Sequence, residues 1–126
     1  MTISTLQDMV AKYKTLGIVK ATDFLLTPEY ALELLYDLKT LSIRVVGCDC
    51  WRYLDRELRD PNRILEIVGG GVLVKGAYTK SIEENALIIE DFIMHNLPND
   101  ADLVSLIDDD PKIPGPFSYL VRDNKE

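Results

Sequence analysis

Basic residues are absent from one stretch of this chain. Between Ser81 and Asp110 there is no Lys or Arg, although the segment contains nine carboxylates. These are Glu83, Glu84, Glu90, Asp91, Asp100, Asp102, Asp108, Asp109 and Asp110. The whole chain has 21 acidic and 14 basic residues, so its net charge of −7 is concentrated in this segment. Because a field of one sign attracts the opposite charge and repels phosphates, the segment predicts a basic protein partner and argues against nucleic acid and membrane surfaces.

Long apolar runs and a leader-like start are also missing. No apolar run approaches the roughly 18 residues of a membrane helix. The first residues lack the basic end and apolar stretch of a signal peptide, so we expect a cytoplasmic protein. With 126 residues, of which 47% are hydrophobic and 28% charged, the chain fits one globular domain over residues 1–126.

Cysteine and histidine are scarce, which limits metal and nucleophile chemistry. On a strand the Cα atoms of Cys48 and Cys50 would lie about 6.5 to 7 Å apart, at the limit of disulfide reach, so we expect reduced thiols. A zinc site would need more ligands than these thiols and the single histidine, His95. A nucleophilic Cys50 would need a base beside it. We therefore predict no metal, no cofactor and no catalytic residue.

Capping residues and apolar spacing predict three helices. The first spans Thr5 to Leu16, with Ser4 and Gln7 as a capping box and Gly17 as its end. The second begins at Thr27-Pro28, and the third spans Ile82 to Asn96 after the capping box of Ser81 with Glu84. In the second helix the inward positions are Ala31, Leu34, Leu35 and Leu38, and the outward positions are Glu29, Glu33 and Asp37.

Runs of β-branched residues predict strands at Ser42–Cys48, Ile64–Val68, Val72–Tyr78 and Leu103–Ile107. The glycines 69–71 favour a tight hairpin or a bulge over a phosphate loop, since they lead into a strand and not into a helix. Residues 51–60 fit either a helix or a strand. Residues 111–116 predict a loop, residues 117–121 a last edge strand, and residues 122–126 a tail.

Together these elements predict an α+β fold in which N-terminal helices pack on a small mixed sheet with one inserted helix at about residues 82–96. The unit formed by residues 72–78, this helix and residues 103–107 predicts a crossover between parallel strands.

The inserted helix has two distinct apolar stripes. Its core stripe consists of Ile82, Ala86, Ile89 and Ile93. On the other side, Leu87 and Met94 project from among Glu83, Glu84, Glu90 and Asp91, and an apolar centre with a charged rim is typical of a protein interface. The alternative is that the chain itself covers this side, for example with its C-terminal segment.

Two further charged groups have ordinary structural explanations. The aspartates 108–110 lack the spacing of a calcium loop, so they predict a solvated turn that also extends an acidic docking surface. Arg52, Arg56, Arg59 and Arg63 have acids between them, which favours a salt-bridged surface over a phosphate site.

One motif resembles a known family. The strand ending in Val45-Val46-Gly47-Cys48-Asp49-Cys50-Trp51, the helix after Ser81 and the strand 103–107 are similar to the small α+β immunity proteins of bacterial polymorphic-toxin and contact-dependent growth-inhibition systems. The resemblance covers about residues 28–108, and its motif is a strand followed by G-x-D-x-W. It implies neutralisation of a cognate toxin domain, often a nuclease with a basic cleft, by tight cytoplasmic binding. It carries over no catalytic residues.

The leading hypothesis is therefore a non-catalytic, immunity-like protein that docks an acidic surface over a basic toxin. Its predicted partner-binding residues are the nine carboxylates together with Asp49, Trp51, Tyr53, Leu87 and Met94. Two alternatives stay open: a small enzyme that uses Asp49, Cys50 or the aspartates 108–110, and an adaptor or subunit with another basic protein partner. The sequence does not predict the toxin's activity or the oligomeric state.

Overall fold

The computed structural model describes residues 5–108, which contain three α-helices and six β-strands. The helices are α1 (Leu6–Tyr13), α2 (Pro28–Thr40) and α3 (Ile82–His95), and a 3-10 turn spans Ala77–Thr79. The strands are β1 (Ile18–Lys20), β2 (Asp23–Leu25), β3 (Val45–Tyr53), β4 (Ile64–Glu66), β5 (Val72–Leu73) and β6 (Leu103–Asp108). None of these three helices is long and apolar enough to cross a membrane. The predicted strand at 117–121 and the tail lie outside the described residues.

Strand β3 organises the main sheet because it pairs along both edges. Strand β6 lies antiparallel on one edge, from Trp51 opposite Leu103 to Val45 opposite Asp108. Strands β4 and β5 lie antiparallel on the other edge. Consequently β5 and β6 run in the same direction with β3 between them, and α3 makes the predicted crossover from one to the other. The α+β fold class is confirmed.

The ambiguous segment 51–60 is a strand end followed by turns. Residues 51–53 continue β3, which begins three residues later and ends five residues later than predicted. The backbone N–H of Leu54 donates to the carbonyl of Arg63 at 2.8 Å and closes the connection to β4. The carboxylates of Asp55 and Asp60 accept backbone N–H groups two residues ahead, which holds the intervening residues in turns.

The glycines 69–71 lie in a loop between β4 and β5, and the predicted hairpin of these two strands is wrong. Both strands run antiparallel to β3, so they are two pieces of one interrupted edge strand. The N–H groups of Ile67 and Val74 donate to the carbonyls of Cys50 and Val46, and the chain between them loops away from β3. A side chain at Gly71 would collide with the carbonyl of Cys48, so glycine permits the loop to return to β3.

A small hairpin of β1 and β2, which was not predicted from the sequence, lies beside β6. Leu26 connects it to the main sheet, because the backbones of Leu26 and Val104 exchange two hydrogen bonds of 2.9 and 2.7 Å. Gly17, predicted as the end of α1, instead lies against the ring of Phe24, where a Cβ would clash.

Alternate residues of β3 face two different cores. The larger core lies between the sheet and the helices and includes Leu34 of α2, Cys48 of β3, Ile89 of α3 and Val104 of β6. The smaller core lies on the opposite face, beneath the β1–β2 hairpin. It consists of Leu25, Trp51, Ile64 and Leu103, with Ile18 and Tyr53 packed against them.

The first two helices are joined by a buried carboxylate. Helix α1 is shorter than predicted, and its N-cap is Thr5, whose Oγ1 accepts from the N–H of Asp8 at 3.1 Å. Asp37 of α2 was predicted to face outward but is only 7% exposed. Its Oδ2 accepts from the Tyr13 hydroxyl at 2.5 Å and from Lys12 Nζ at 3.0 Å. Burial, followed by this hydrogen bond, raises the pKa of the Tyr13 hydroxyl.

We expect Asp37→Ala to destabilise the fold by about 1 to 3 kcal/mol, because it leaves the buried Tyr13 hydroxyl without its acceptor. Glu33→Ala is the matched control: Glu33 also pairs with Lys12, at 3.2 Å, but its side chain is 54% exposed. Its loss should change stability by less than about 0.5 kcal/mol. Urea unfolding of both variants checks the prediction, and equal small effects would contradict it.

Candidate functional site

Helix α3 is fixed at its start by groups from other parts of the chain. The Oγ of Ser81 accepts from the N–H of Glu84 at 3.0 Å, as the capping box predicts. Just before it, Arg44 Nη1 donates to the carbonyl of Ala77 at 2.8 Å and also to the carbonyl of Lys80. Asn85 Nδ2 donates to the same Ala77 carbonyl at 2.9 Å. These bonds hold the turn from which α3 starts.

One side of α3 belongs to the core. Ala86, Ile89 and Ile93 are buried as predicted, and Ile82 is half-buried. Asn85, also fully buried, adds a polar position to this side that the apolar pattern did not reveal. Because this side is packed against the sheet and α2, the opposite side of the helix must face outward.

The outward side carries the predicted mixture of acidic and apolar residues. Leu87 is 64% and Met94 56% exposed, and the surrounding carboxylates are exposed as well. We call this surface the α3 acidic face; it comprises Glu83, Glu84, Leu87, Glu90, Asp91 and Met94. Within residues 5–108 none of its four carboxylates has an ion-pair partner. The α3 acidic face is therefore a negative surface with exposed apolar side chains in it.

Two other predicted partner-binding carboxylates, Asp100 and Asp102, lie beside arginines of the segment that follows Trp51. Asp102 Oδ2 accepts from the N–H of Tyr53 at 3.0 Å, and its Oδ1 accepts from Arg56 Nε at 2.8 Å. Asp100 lies 4.0 Å from Arg52 Nε. The contacts of Asp102 tie the start of β6 to the end of β3, and both pairs agree with a salt-bridged arginine group.

Trp51 and Tyr53 are part of the smaller core. Trp51 is only 6% exposed, and its Nε1 donates to Ser105 Oγ at 3.0 Å. Tyr53 is half-buried against the same cluster. Since both side chains already pack within the fold, the docking surface proposed below leaves them out.

Asp49 lies apart from the α3 acidic face, on the sheet face that carries the smaller core. It is half-buried, and burial raises its pKa. Asp23 of β2 lies near it, and its pKa is raised first by its own burial and then by the charge of Asp49. A shallow cleft of about 260 Å³ adjoins Asp49, lined also by Cys48, Gly69, Gly71, Val72 and Leu73.

The remaining candidates are the two cysteines and the aspartates 108–110. Both cysteines are free thiols buried in β3, and the hydrogen bond with Cys50, followed by burial, raises the pKa of Cys48. Asp108 ends β6 in register with Val45. Asp109 and Asp110 lie outside the described residues. Among residues 5–108 no group of three or more His, Cys, Asp or Glu side chains is placed to hold a metal ion.

We expect Asp49→Asn to stabilise the fold at pH 7. A carboxyl whose folded-state pKa is raised contributes stability that is present below its ordinary pKa and is lost as the pH rises through the folded-state pKa. Removing the charge should raise the urea midpoint at pH 7 and flatten the loss of stability at pH values above about 4. Asp91→Asn, at an exposed carboxylate, is the control. A lower midpoint for Asp49→Asn would show that its charged form is stabilised by the fold.

Compared with known proteins, the chain matches no family model, no curated protein and no solved structure. The resemblance to immunity proteins therefore stays a prediction from the sequence motif.

Proposed function

We propose that this protein is a non-catalytic binding protein of the immunity type, which neutralises a cognate toxin by docking the α3 acidic face on a basic surface. The observation that carries the proposal is the combination, on one side of one helix, of the exposed Leu87 and Met94 with four exposed carboxylates that have no ion-pair partner among residues 5–108. It depends on no metal or cofactor, and its expected compartment is the cytoplasm.

The two kinds of side chain have separate tasks in this proposal. Exposed carboxylates steer a basic partner during approach and raise the association rate. Apolar side chains hold the partner after contact, because anchors buried at the centre of an interface supply most of its binding energy. On a nuclease toxin, the carboxylates would stand where the phosphates of the substrate bind and would keep the substrate out.

An adaptor with another basic partner would use the same surface. Co-expression separates the two functions: the protein should rescue growth of cells that express a toxin domain encoded beside its gene, and a pull-down should recover that domain. If the protein does not rescue growth but forms a stable complex with a different basic protein, the adaptor function is favoured.

A small enzyme built around Asp49 is the second candidate, and the cleft beside Asp49 favours it. The two proposals differ in which substitutions abolish function. In the binding proposal, Asp49→Asn and Cys50→Ser proteins that fold stably should still neutralise the partner. Loss of neutralisation in either variant would support the enzyme.

We expect Leu87→Ala to separate stability from binding. As an exposed position it should change unfolding free energy by less than about 0.5 kcal/mol, yet weaken partner binding by more than about 1 kcal/mol. Ile89→Ala is the matched control on the buried side and should cost about 2 to 5 kcal/mol of stability. Urea unfolding and titration calorimetry measure both quantities, and a strongly destabilised Leu87→Ala would contradict docking through this side.

We also expect the association rate to depend on salt. Between about 0.01 M and 0.15 M salt the Debye length falls from about 30 to about 8 Å, so steering by exposed charges should weaken and the on-rate should fall while the off-rate changes much less. The combined variant Glu83→Gln, Glu84→Gln, Glu90→Gln and Asp91→Asn should lose this dependence. Stopped-flow mixing with the toxin domain measures both rates. A wild-type on-rate indifferent to salt would remove the carboxylates from the mechanism.

A further inference from the structure

The α3 acidic face repeats itself after seven residues. In each repeat two consecutive carboxylates are followed, after two other residues, by one apolar residue. The first repeat contains Glu83, Glu84 and Leu87, and the second contains Glu90, Asp91 and Met94. All six side chains are exposed. Seven residues make nearly two helical turns, so equivalent members of the two repeats lie on the same side of α3, about 10.5 Å apart along its axis.

We propose that the α3 acidic face binds a basic α-helix of its partner, laid along α3 with a matching seven-residue repeat. This inference rests on the proposed function and adds to it the kind of partner element.

The spacing of the two apolar side chains favours a helix over a strand. A helix that packs nearly in line with α3 presents equivalent side chains every seven residues, at the same interval of about 10.5 Å. On a strand, side chains of one face recur about every 6.8 Å, so two of them are about 6.8 or about 13.6 Å apart. Neither distance matches the interval of about 10.5 Å between Leu87 and Met94. A helical partner can therefore contact Leu87 and Met94 in the same way.

The charges define the chemistry of that helix. Each apolar position has carboxylates three and four residues away on the same helix, the positions that flank a helix–helix contact. A partner with Lys or Arg at the facing positions would pair with them. A second copy of this chain would instead bring like charges together on both sides of the contact, which is destabilising. Charge complementarity therefore selects a basic helix of another protein.

Two peptides of equal composition test the proposal. One consists of three repeats of Leu-Ala-Ala-Lys-Lys-Ala-Gln, and the other has the same residues in an order without a seven-residue repeat. We expect the repeating peptide to bind the wild-type protein at least about tenfold more tightly and to gain helical circular dichroism on binding. Equal affinity of the two peptides, or no binding of either, would overturn the helix proposal.

Substitutions on the protein test whether the peptide binds to the α3 acidic face. The double variant Leu87→Ser and Met94→Ser should weaken binding of the repeating peptide about tenfold. Leu58→Ser is the matched control, since Leu58 is 72% exposed in the turns after β3, away from α3. An unchanged affinity of the double variant would show that the peptide binds elsewhere and would overturn the proposal.

Failure of this inference can be told from failure of the proposed function. If the four-carboxylate variant no longer neutralises the toxin domain but the repeating peptide has no advantage, the protein docks a basic surface that is not a helix. If the repeating peptide binds more tightly but no toxin encoded beside the gene is neutralised, the helix proposal is supported and the immunity function is contradicted.

Discussion

The pairing of β3 along both edges is the constraint on which the rest of the structure depends. Because β6 occupies one edge and the β4–β5 strand the other, the chain must cross over β3 between Leu73 and Leu103, and α3 makes this crossing. The alternation of side chains on β3 creates a core on each face, and α3 covers one of them. The inner side of α3 is therefore packed against the core, and its outer side is exposed. The candidate site is a consequence of the sheet topology and not an addition to it.

Two groups of acidic residues differ in their physical effects. Asp37, Asp100 and Asp102 each lie beside a cationic side chain. Asp37 also accepts a hydrogen bond from the Tyr13 hydroxyl, and Asp102 accepts one from the Tyr53 N–H. These acids therefore stabilise contacts between elements. The carboxylates of the α3 acidic face lack such partners within residues 5–108 and leave that side of the helix negatively charged. Arg52 and Arg56 instead lie beside Asp100 and Asp102, near the start of β6. Net charge alone could not separate these groups.

Local signals predicted α2, α3 and their buried stripes, since caps and apolar spacing act within a few residues of one another. The exposure of Leu87 and Met94 followed from the same periodicity. The features that were not predicted depend on residues far away in the sequence. Asp37 occupies an outward position of the helical pattern, and only the fold brings Tyr13 against it. Likewise, only the fold shows that Trp51 is buried and donates to Ser105. The supposed hairpin failed because β3, far away in sequence, pairs both flanking strands. No local pattern marks Arg44 as the residue that holds the start of α3.

Surrounding an apolar side chain with carboxylates also restricts what can bind. Exposed Leu and Met alone would accept many apolar surfaces, including a second copy of the chain. The carboxylates beside them must be desolvated in any close contact, which is costly unless the partner supplies cations at the same positions. In the proposed docking this cost would disfavour a partner without matched cations, and repulsion would disfavour nucleic acid. In the proposed docking the apolar residues would supply affinity and the carboxylates specificity, on a helix whose preceding turn is held by hydrogen bonds from Arg44 to the carbonyls of Ala77 and Lys80.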